Sequence, residues 1–569
     1  MILHKWIAPN IMILLLIISG PANAFVSELM CSACLATYNL FEAVFTSDMY
    51  VQYEREKQIK ECHFTPETCA KFFDHNDVVS VINYVKRYNV TCYELGICNK
   101  PRIVRQPLTQ YQKKVLRDRP PRRYESAVEG TGTMKFAVIT DIHIDPNYTQ
   151  TKSTHCSSTV CCRDDSPDVH NDTDRPGKWG VVGDCDLPFR TLHNAVDDIW
   201  TYHKDIKFIL WLGDNIANVY YTMNPSDHKF IITNMTTKLL EHYNKLGSVY
   251  PVFGNHDSLP RDHMQFVPNA SHWLRELCAD LWAPWLTPES VEGMRECGHF
   301  TQVHPGTHLR IVALNSFVRG STNSYIWSNI TDRCGELSWL QRTLEHSEKA
   351  GEKVLIIGHF PPREGFSVNR WTARFSVLME RYANIIVGNM AGHTHEDEYE
   401  LFRSVFDDEY TGVALEQPSL TSSYSVFPSY RIYEMDASNY QMVDYYQYRL
   451  NLTIANAHED ETPRWTLSYS FRNYYGAKNM EDRTFGWLAD KILGKENDCI
   501  YYKKFAWMMY AEGPNSAHQM MYYDDANRHQ VYCWLVSATF ERYEDCFGGF
   551  SYDDTYDQKV FLPQWEYAV

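Results

Sequence analysis

Short apolar runs, each closed by a glycine or a polar residue, recur through the middle of the chain: MKFAVIT (134–140), KFILWLG (207–213), VYPVFG (249–254), LRIVALN (309–315), KVLIIG (353–358) and NIIVG (384–388). Runs this short, apolar at consecutive positions and bounded by turn residues, predict strands buried on both faces. Between them, FRTLHNAVDDIWTYH (189–203) and TTKLLEHYNKL (236–246) place apolar residues three and four apart, which predicts helices. Strands that alternate with helices give an α/β class. From about Ala455 the strand signal fades into a Tyr- and Trp-rich tail expected to be helical.

The first hundred residues read differently. An apolar run from Ile11 to Ile18, preceded by Lys5 and followed by Ala22-Asn23-Ala24, predicts a cleaved secretory signal over 1–24. No later stretch reaches the ~20 apolar residues of a spanning helix, so the mature chain is expected to be soluble. Cys31, Cys34, Cys62, Cys69, Cys92 and Cys98 then crowd one segment, 27–101, whose stretches LATYNLFEAVF and DVVSVINYVKRY carry helical spacing. A compact helical unit stapled by disulfides is expected there, its pairing open from the count alone. Residues 102–132, rich in proline and charge, read as a linker.

Composition narrows the class. The chain has 569 residues, enough for two or three domains, with 44% apolar content. Its formal net charge of −17, with no long basic run, argues against a nucleic-acid partner. All 16 cysteines lie beyond the predicted signal, which suits an oxidising compartment. Sequons begin at Asn89, Asn147, Asn171, Asn234, Asn269, Asn329 and Asn451, the expected glycosylation positions of a secreted or lysosomal product.

The chemistry lies just after the predicted strands. There the sequence offers Asp141 and His143 (DIH), Asp214 (GD), Asn255, His256 and Asp257 (GNHD), His359 (GH), and His393 and His395 (GHTH). The strand ends of an open α/β sheet form the crevice where ligands bind. Imidazole with carboxylate suits zinc and similar first-row ions. On an extended chain, alternate residues share a side, so DxH and HxH each offer two ligands to one place. Two ions about 3.5–4 Å apart clamp a phosphoryl oxygen and activate water, with Asp214 the candidate bridging carboxylate.

The ordered set DxH, GD, GNHD, GH and GHTH resembles the calcineurin-like metallophosphoesterases over about Met134 to Tyr433. The resemblance implies a four-layer sandwich of two mixed β-sheets flanked by helices. It also implies one ion on Asp141, His143, Asp214 and His395, and a second on Asp214, Asn255, His359 and His393. His256 would stand over the phosphate and aid the leaving oxygen. The N-terminal cysteine order is similar to that of saposin B-type domains, implying Cys31–Cys98, Cys34–Cys92 and Cys62–Cys69.

The whole layout resembles acid sphingomyelinases, which join a saposin domain, a linker, a metal domain (here 133–455) and a helical C-terminal subdomain (456–569). Cys156, Cys161, Cys162 and Cys185 look like that family's small bridges, implying Cys156–Cys161 and Cys162–Cys185. Cys533–Cys546 is expected from proximity. Cys278, Cys297, Cys334 and Cys499 are left without assigned partners, and bridges are expected over free thiols given the even count.

The implied activity is hydrolysis of sphingomyelin to ceramide and phosphocholine by a monomer. It would use two zinc ions and a metal-bridging hydroxide, with the saposin segment touching membranes or lipoproteins. The alternatives are a relative acting on nucleotides or other soluble phosphodiesters, and a lipid-binding protein with a weakened site. One position departs from the family pattern. The residue four after Asp214, usually a histidine, is Asn218, which cannot act as a general acid, so leaving-group assistance falls to His256.

Overall fold

The computed structural model describes residues 109–547, apart from 128–131, 220–222, 260, 267–271, 321–322, 324, 326–331, 364–366, 368, 514–515 and 517–523. The predicted signal, the saposin-like segment with its six cysteines, and the sequons at Asn89, Asn269 and Asn329 lie outside the described residues. The chain divides at residues 106/107, and all of the described residues belong to the second unit.

Three parallel neighbours come first: β1 (Thr133–Ile139), β2 (Ile206–Trp211) and β3 (Val249–Pro251). The next six strands build a second sheet: β4 (Phe300–Val303), β5 (Leu309–Ala313), β6 (Lys353–Ile357), β7 (Ile386–Ala391), β8 (Tyr399–Arg403) and β9 (Tyr410–Glu416). The chain then returns to the first sheet with β10 (Ser429–Asp436), β11 (Met442–Arg449) and β12 (Thr466–Ser470). The orders are β12-β11-β10-β1-β2-β3 and β4-β5-β6-β7-β9-β8, both mixed.

Apolar side chains from both sheets, among them Phe136, Phe208, Tyr433, Leu355, Ile357 and Met390, share one core. Phe136 is stacked between Phe208 (centroids 4.9 Å) and Tyr433 (5.1 Å), so the middle of that core is aromatic. The helices Phe189–Tyr202 and Pro225–Leu240 add Leu192, Val196, Ile199 and Ile231 to it. On the second sheet, Leu340, Leu344, Trp371 and Phe375, from the helices Glu336–Ala350 and Asn369–Arg381, pack on Val354 and Ile356. Helix, sheet, sheet and helix are the four expected layers.

Four local expectations change. The helix expected over 236–246 starts at Pro225 and stops at Leu240, because Asn224 caps it with Pro225 in the first turn. β12 extends the first sheet beyond Ala455, so a strand separates the helix Leu452–Ala457 from the later helices of the C-terminal region. The segment expected as a linker contains a helix, Gln110–Val115, and then straps onto the unit: Arg119 meets Glu380, Arg122 meets Asp482 at 3.0 Å, and Asn384 holds both the Pro121 carbonyl and the Arg123 amide. Arg119 and Arg122 are therefore paired with the fold.

The fourth change concerns cysteines. Bridges join Cys156–Cys161, Cys162–Cys185, Cys297–Cys334 and Cys533–Cys546, whereas Cys278 and Cys499 are buried thiols without a bridge, contrary to the even-count expectation. Burial pushes the Cys278 thiol far above its ordinary range, so it behaves as a small core residue.

Candidate metal centre

β1, β2, β3, β6 and β7 all end at one place, and the polar residues just beyond them converge there. Past β1 the chain zips onto the loop after β2: the Asp141 amide donates to the Gly213 carbonyl at 3.0 Å, and Ile142 and His143 both donate to the Asp214 carbonyl. Asp141 (φ 48°), His143 (44°), Asp214 (54°), His393 (77°) and His395 (63°) are all in the left-handed region. That conformation is costly for side chains with a Cβ and concentrates at functional sites. DIH and GHTH are thus turns, not the extended alternation expected from sequence.

The motif glycines follow from crowding. A Cβ on Gly254 would lie 2.1 Å from Asp214 Oδ1, and one on Gly392 would lie 2.1 Å from Thr140 Oγ1 and 2.5 Å from Asp141 Oδ2. The loops approach so closely that only backbone fits between the carboxylates.

Asp214 Oδ2 lies 3.2 Å from His359 Nε2 and 3.5 Å from His143 Nε2, between two imidazoles, as a bridging ligand must. Asp141 Oδ1 lies 3.4 Å from His395 Nε2, and His143 Nε2 faces His395 Nε2 at 3.1 Å. Asn255 Oδ1 sits 3.0 Å from His359 Nε2. Donor atoms of Asp141, His143 and His395 gather within 4.8 Å of one another, as do those of Asp214, His359 and His393. All seven residues expected as ligands therefore meet in two adjoining groups.

His143 Nδ1 donates to the Ile216 carbonyl and His359 Nδ1 to the Leu212 carbonyl, each at 2.8 Å, which turns both Nε2 lone pairs inward. His359 shows the demand for positive charge. Burial alone would lower its pKa, but the Asp214 and Asp141 carboxylates outweigh burial and lift it to about 9. A divalent ion would satisfy the same carboxylates in place of that proton. The inward lone pairs, paired carboxylates and amide oxygen fit two first-row divalent ions.

His256 sits on the same edge. Its ring packs 4.7 Å from that of His143, and its amide donates to Asp214 Oδ1 at 2.8 Å. Burial, then the nearby Arg261 charge, hold it well below the ordinary histidine range. Its ring nitrogen groups with a ring nitrogen of His143 and a carboxylate oxygen of Asp214, so it reaches the centre as closely as a ligand does.

Sequence reasoning missed the braces. Asp257 accepts amides from Gly254 (2.8 Å), Asn215 (2.8 Å) and Asp214 (3.2 Å), tying two ligand loops together. Its place inside GNHD was the available signal. Asp262 accepts from Asn255 Nδ2 at 2.8 Å, which turns the Asn255 oxygen to the centre; no pattern in the sequence marks it. Tyr424 (φ 63°), half-exposed, packs its ring 5.0 Å from that of His395. Asn218 is buried against Asp186. The aromatic clusters near Tyr475 and Tyr502 are core.

Residues 134–397 match the family model for calcineurin-like phosphoesterases, and residues 411–548 match that for the acid sphingomyelin phosphodiesterase C-terminal region. A sphingomyelin phosphodiesterase of Bos taurus is 33% identical over 387 residues, covering 66% of this chain and 60% of that protein. The Homo sapiens sphingomyelin phosphodiesterase is 31% identical, covering 67% and 60% respectively. The cyclic GMP-AMP phosphodiesterase SMPDL3A of Bos taurus is 30% identical, covering 67% of this chain and 85% of that protein. The match thus spans about three-fifths of the length of the two sphingomyelin phosphodiesterases. With both domain models in order along one chain and this last relative covered nearly throughout, the chain belongs to the acid sphingomyelin phosphodiesterase family of calcineurin-like phosphoesterases.

Proposed function

We propose that this protein hydrolyses sphingomyelin to ceramide and phosphocholine at the centre formed by Asp141, His143, Asp214, Asn255, His359, His393 and His395. The observation that carries the reading is the convergence of these side chains around Asp214 Oδ2, five of the seven held at left-handed φ. These residues would hold two zinc ions, which when bound would supply Lewis acidity toward the phosphoryl oxygens and lower the pKa of a water. The chain's own residues do the rest. Asp257 and Asp262 hold the ligand loops in register. Burial, then the Arg261 charge, lower the pKa of His256, which favours the neutral ring, whose N–H can be offered to the departing oxygen.

The segment 27–101 serves, in this reading, to meet the lipid surface, and the product is secreted or lysosomal. The described residues contain no helix long and apolar enough to cross a membrane. A soluble phosphodiester such as a nucleotide is the second reading, favoured by the 85% coverage of the cyclic GMP-AMP phosphodiesterase. Purified, zinc-loaded protein offered sphingomyelin vesicles and nucleoside triphosphates side by side separates the two. Phosphocholine release is the expected result, and nucleotide turnover without it overturns the reading.

A further inference from the structure

Asp186 and Asn218 meet beside the centre, on the side of His143 and His395. Ile216, whose carbonyl holds the His143 ring, is two residues before Asn218. Ser423, which Asn218 touches, precedes Tyr424 against His395. Asp186 is buried and follows Cys185, which the bridge to Cys162 anchors. Its two oxygens take two hydrogens from one residue: Oδ2 accepts the Asn218 amide at 2.5 Å, and Oδ1 accepts Asn218 Nδ2–H at 2.8 Å. The other Nδ2 hydrogen has Ser423 Oγ at 3.4 Å.

Burial pushes the Asp186 carboxyl up to about 7, so above that pH it is a carboxylate, which only accepts, whereas an amide side chain has donors on nitrogen and an acceptor on oxygen. In that form Asp186 sets the orientation of Asn218, with nitrogen turned toward the carboxylate and Oδ1 turned away from it. That oxygen accepts from none of the described residues, and it is absent from the fully buried polar atoms that lack partners. Asn218 is 7% exposed, so what little of it solvent reaches includes this acceptor.

An outward acceptor gives no help to a departing oxygen that is gaining negative charge. It does suit a neutral donor carried elsewhere on the same leaving group. We propose that Asn218 Oδ1 is a specificity element that accepts a hydrogen bond from an amide N–H or hydroxyl of the leaving alcohol, with Asp186 as its positioning residue. The inference rests on the sphingomyelin reading and deepens it. Ceramide carries both an amide N–H and a hydroxyl close to the ester oxygen, whereas diacylglycerol, leaving from the same phosphocholine headgroup, carries neither. A substrate without the donor would bury Oδ1 unpaired, which a site built for a polar partner rejects strongly.

The test compares kcat/KM for sphingomyelin, for its N-methyl, 3-O-methyl analogue and for phosphatidylcholine in vesicles of one composition. The wild type is expected to prefer sphingomyelin over both by ~100-fold or more. Asn218→Leu, which removes the acceptor at similar size, is expected to shrink that ratio at least about tenfold, most of it lost from the sphingomyelin rate. Asp186→Asn, which frees the amide to turn, shrinks it less. Each ratio is taken within one preparation, so the folded fraction cancels, and the wild-type comparison needs no variant at all. A wild type that cleaves the methylated analogue as fast as sphingomyelin, or an Asn218→Leu variant with the full ratio, overturns the inference and leaves the sphingomyelin reading standing. Turnover of nucleotides with no turnover of sphingomyelin overturns both.

Discussion

Two buried clusters of ionisable side chains draw on the GHTHEDEYE segment (392–400), one through His393 and His395 and the other through Glu398 and Glu400, and they are neutralised in different ways. In the first, Asp141 and Asp214 face histidines, and although burial would raise their pKa values, the charge they draw onto His359 keeps both below the carboxylate range. In the second, Glu398, Glu400 and Glu416 surround Arg363, with Arg363 contacts of 3.3 Å to Glu398 and 3.1 Å to Glu400, a closer one to Glu416, and the Trp534 face 4.2 Å from the guanidinium. All four charged residues are buried. The first cluster depends on a proton or an ion from outside. The second contains its own permanent cation, which cannot leave. A site that must exchange its charge is built from histidine; a strut is built from arginine.

Replacing a member of the first cluster that is not an expected ligand should sharpen this contrast most. His256→Ala is expected to lower turnover on the order of a thousandfold while metal content and melting temperature stay at wild-type values. Retention of most activity would remove His256 from the chemistry. Arg363→Met should do the reverse, costing about 3–5 kcal/mol of stability because it leaves buried carboxylates uncompensated, with turnover per folded molecule within a few-fold of wild type. Chemical denaturation with activity measured on the folded fraction checks it. An unchanged midpoint would mean that Arg363 is not the strut.

The smallest expected effect concerns pH. Burial is the largest influence on Glu400 and, despite the Arg363 charge, pushes its carboxyl from 4.5 up to about 7. The folded state thus holds a proton that the unfolded state has released between pH 4.5 and 7, so this contribution to stability falls as pH rises through that window and is complete only below it. Glu400→Gln is expected to flatten the dependence, narrowing the difference in melting temperature between pH 5 and pH 7.5 by ~2 °C or more. An identical slope would count against the cluster as a proton store.

How much could be read from the sequence depends on how a strand's buried positions are filled. β1, β2, β3, β5, β6 and β7 fill them mostly with apolar residues and read as continuous apolar runs, whereas β10 (SYRIYEMD), although buried at nearly every position, β11 (MVDYYQYR) and the edge strand β12 (TLSYS) mix polar and aromatic residues and gave no such signal. The helix from Pro225 was half hidden because PSDHKF opens it with polar residues. At the centre, the residue types and their order were legible. The left-handed turns that aim Asp141, His143, His393 and His395 were not, because tertiary contacts impose them. The hold of Asp186 on Asn218 joins positions 32 residues apart, and a single sequence carries no mark of that pairing.

The central claim is that Asp214 joins two metal half-sites whose ions the reaction requires. Metal analysis of purified wild type and Asp214→Asn, paired with phosphocholine release from sphingomyelin vesicles, tests it most directly. The account predicts about two zinc ions per wild-type chain with steady release, and loss of both bound metal and release in a variant that still melts cooperatively. A wild type that releases phosphocholine after complete metal removal, or a variant that keeps both ions and full turnover, would contradict it.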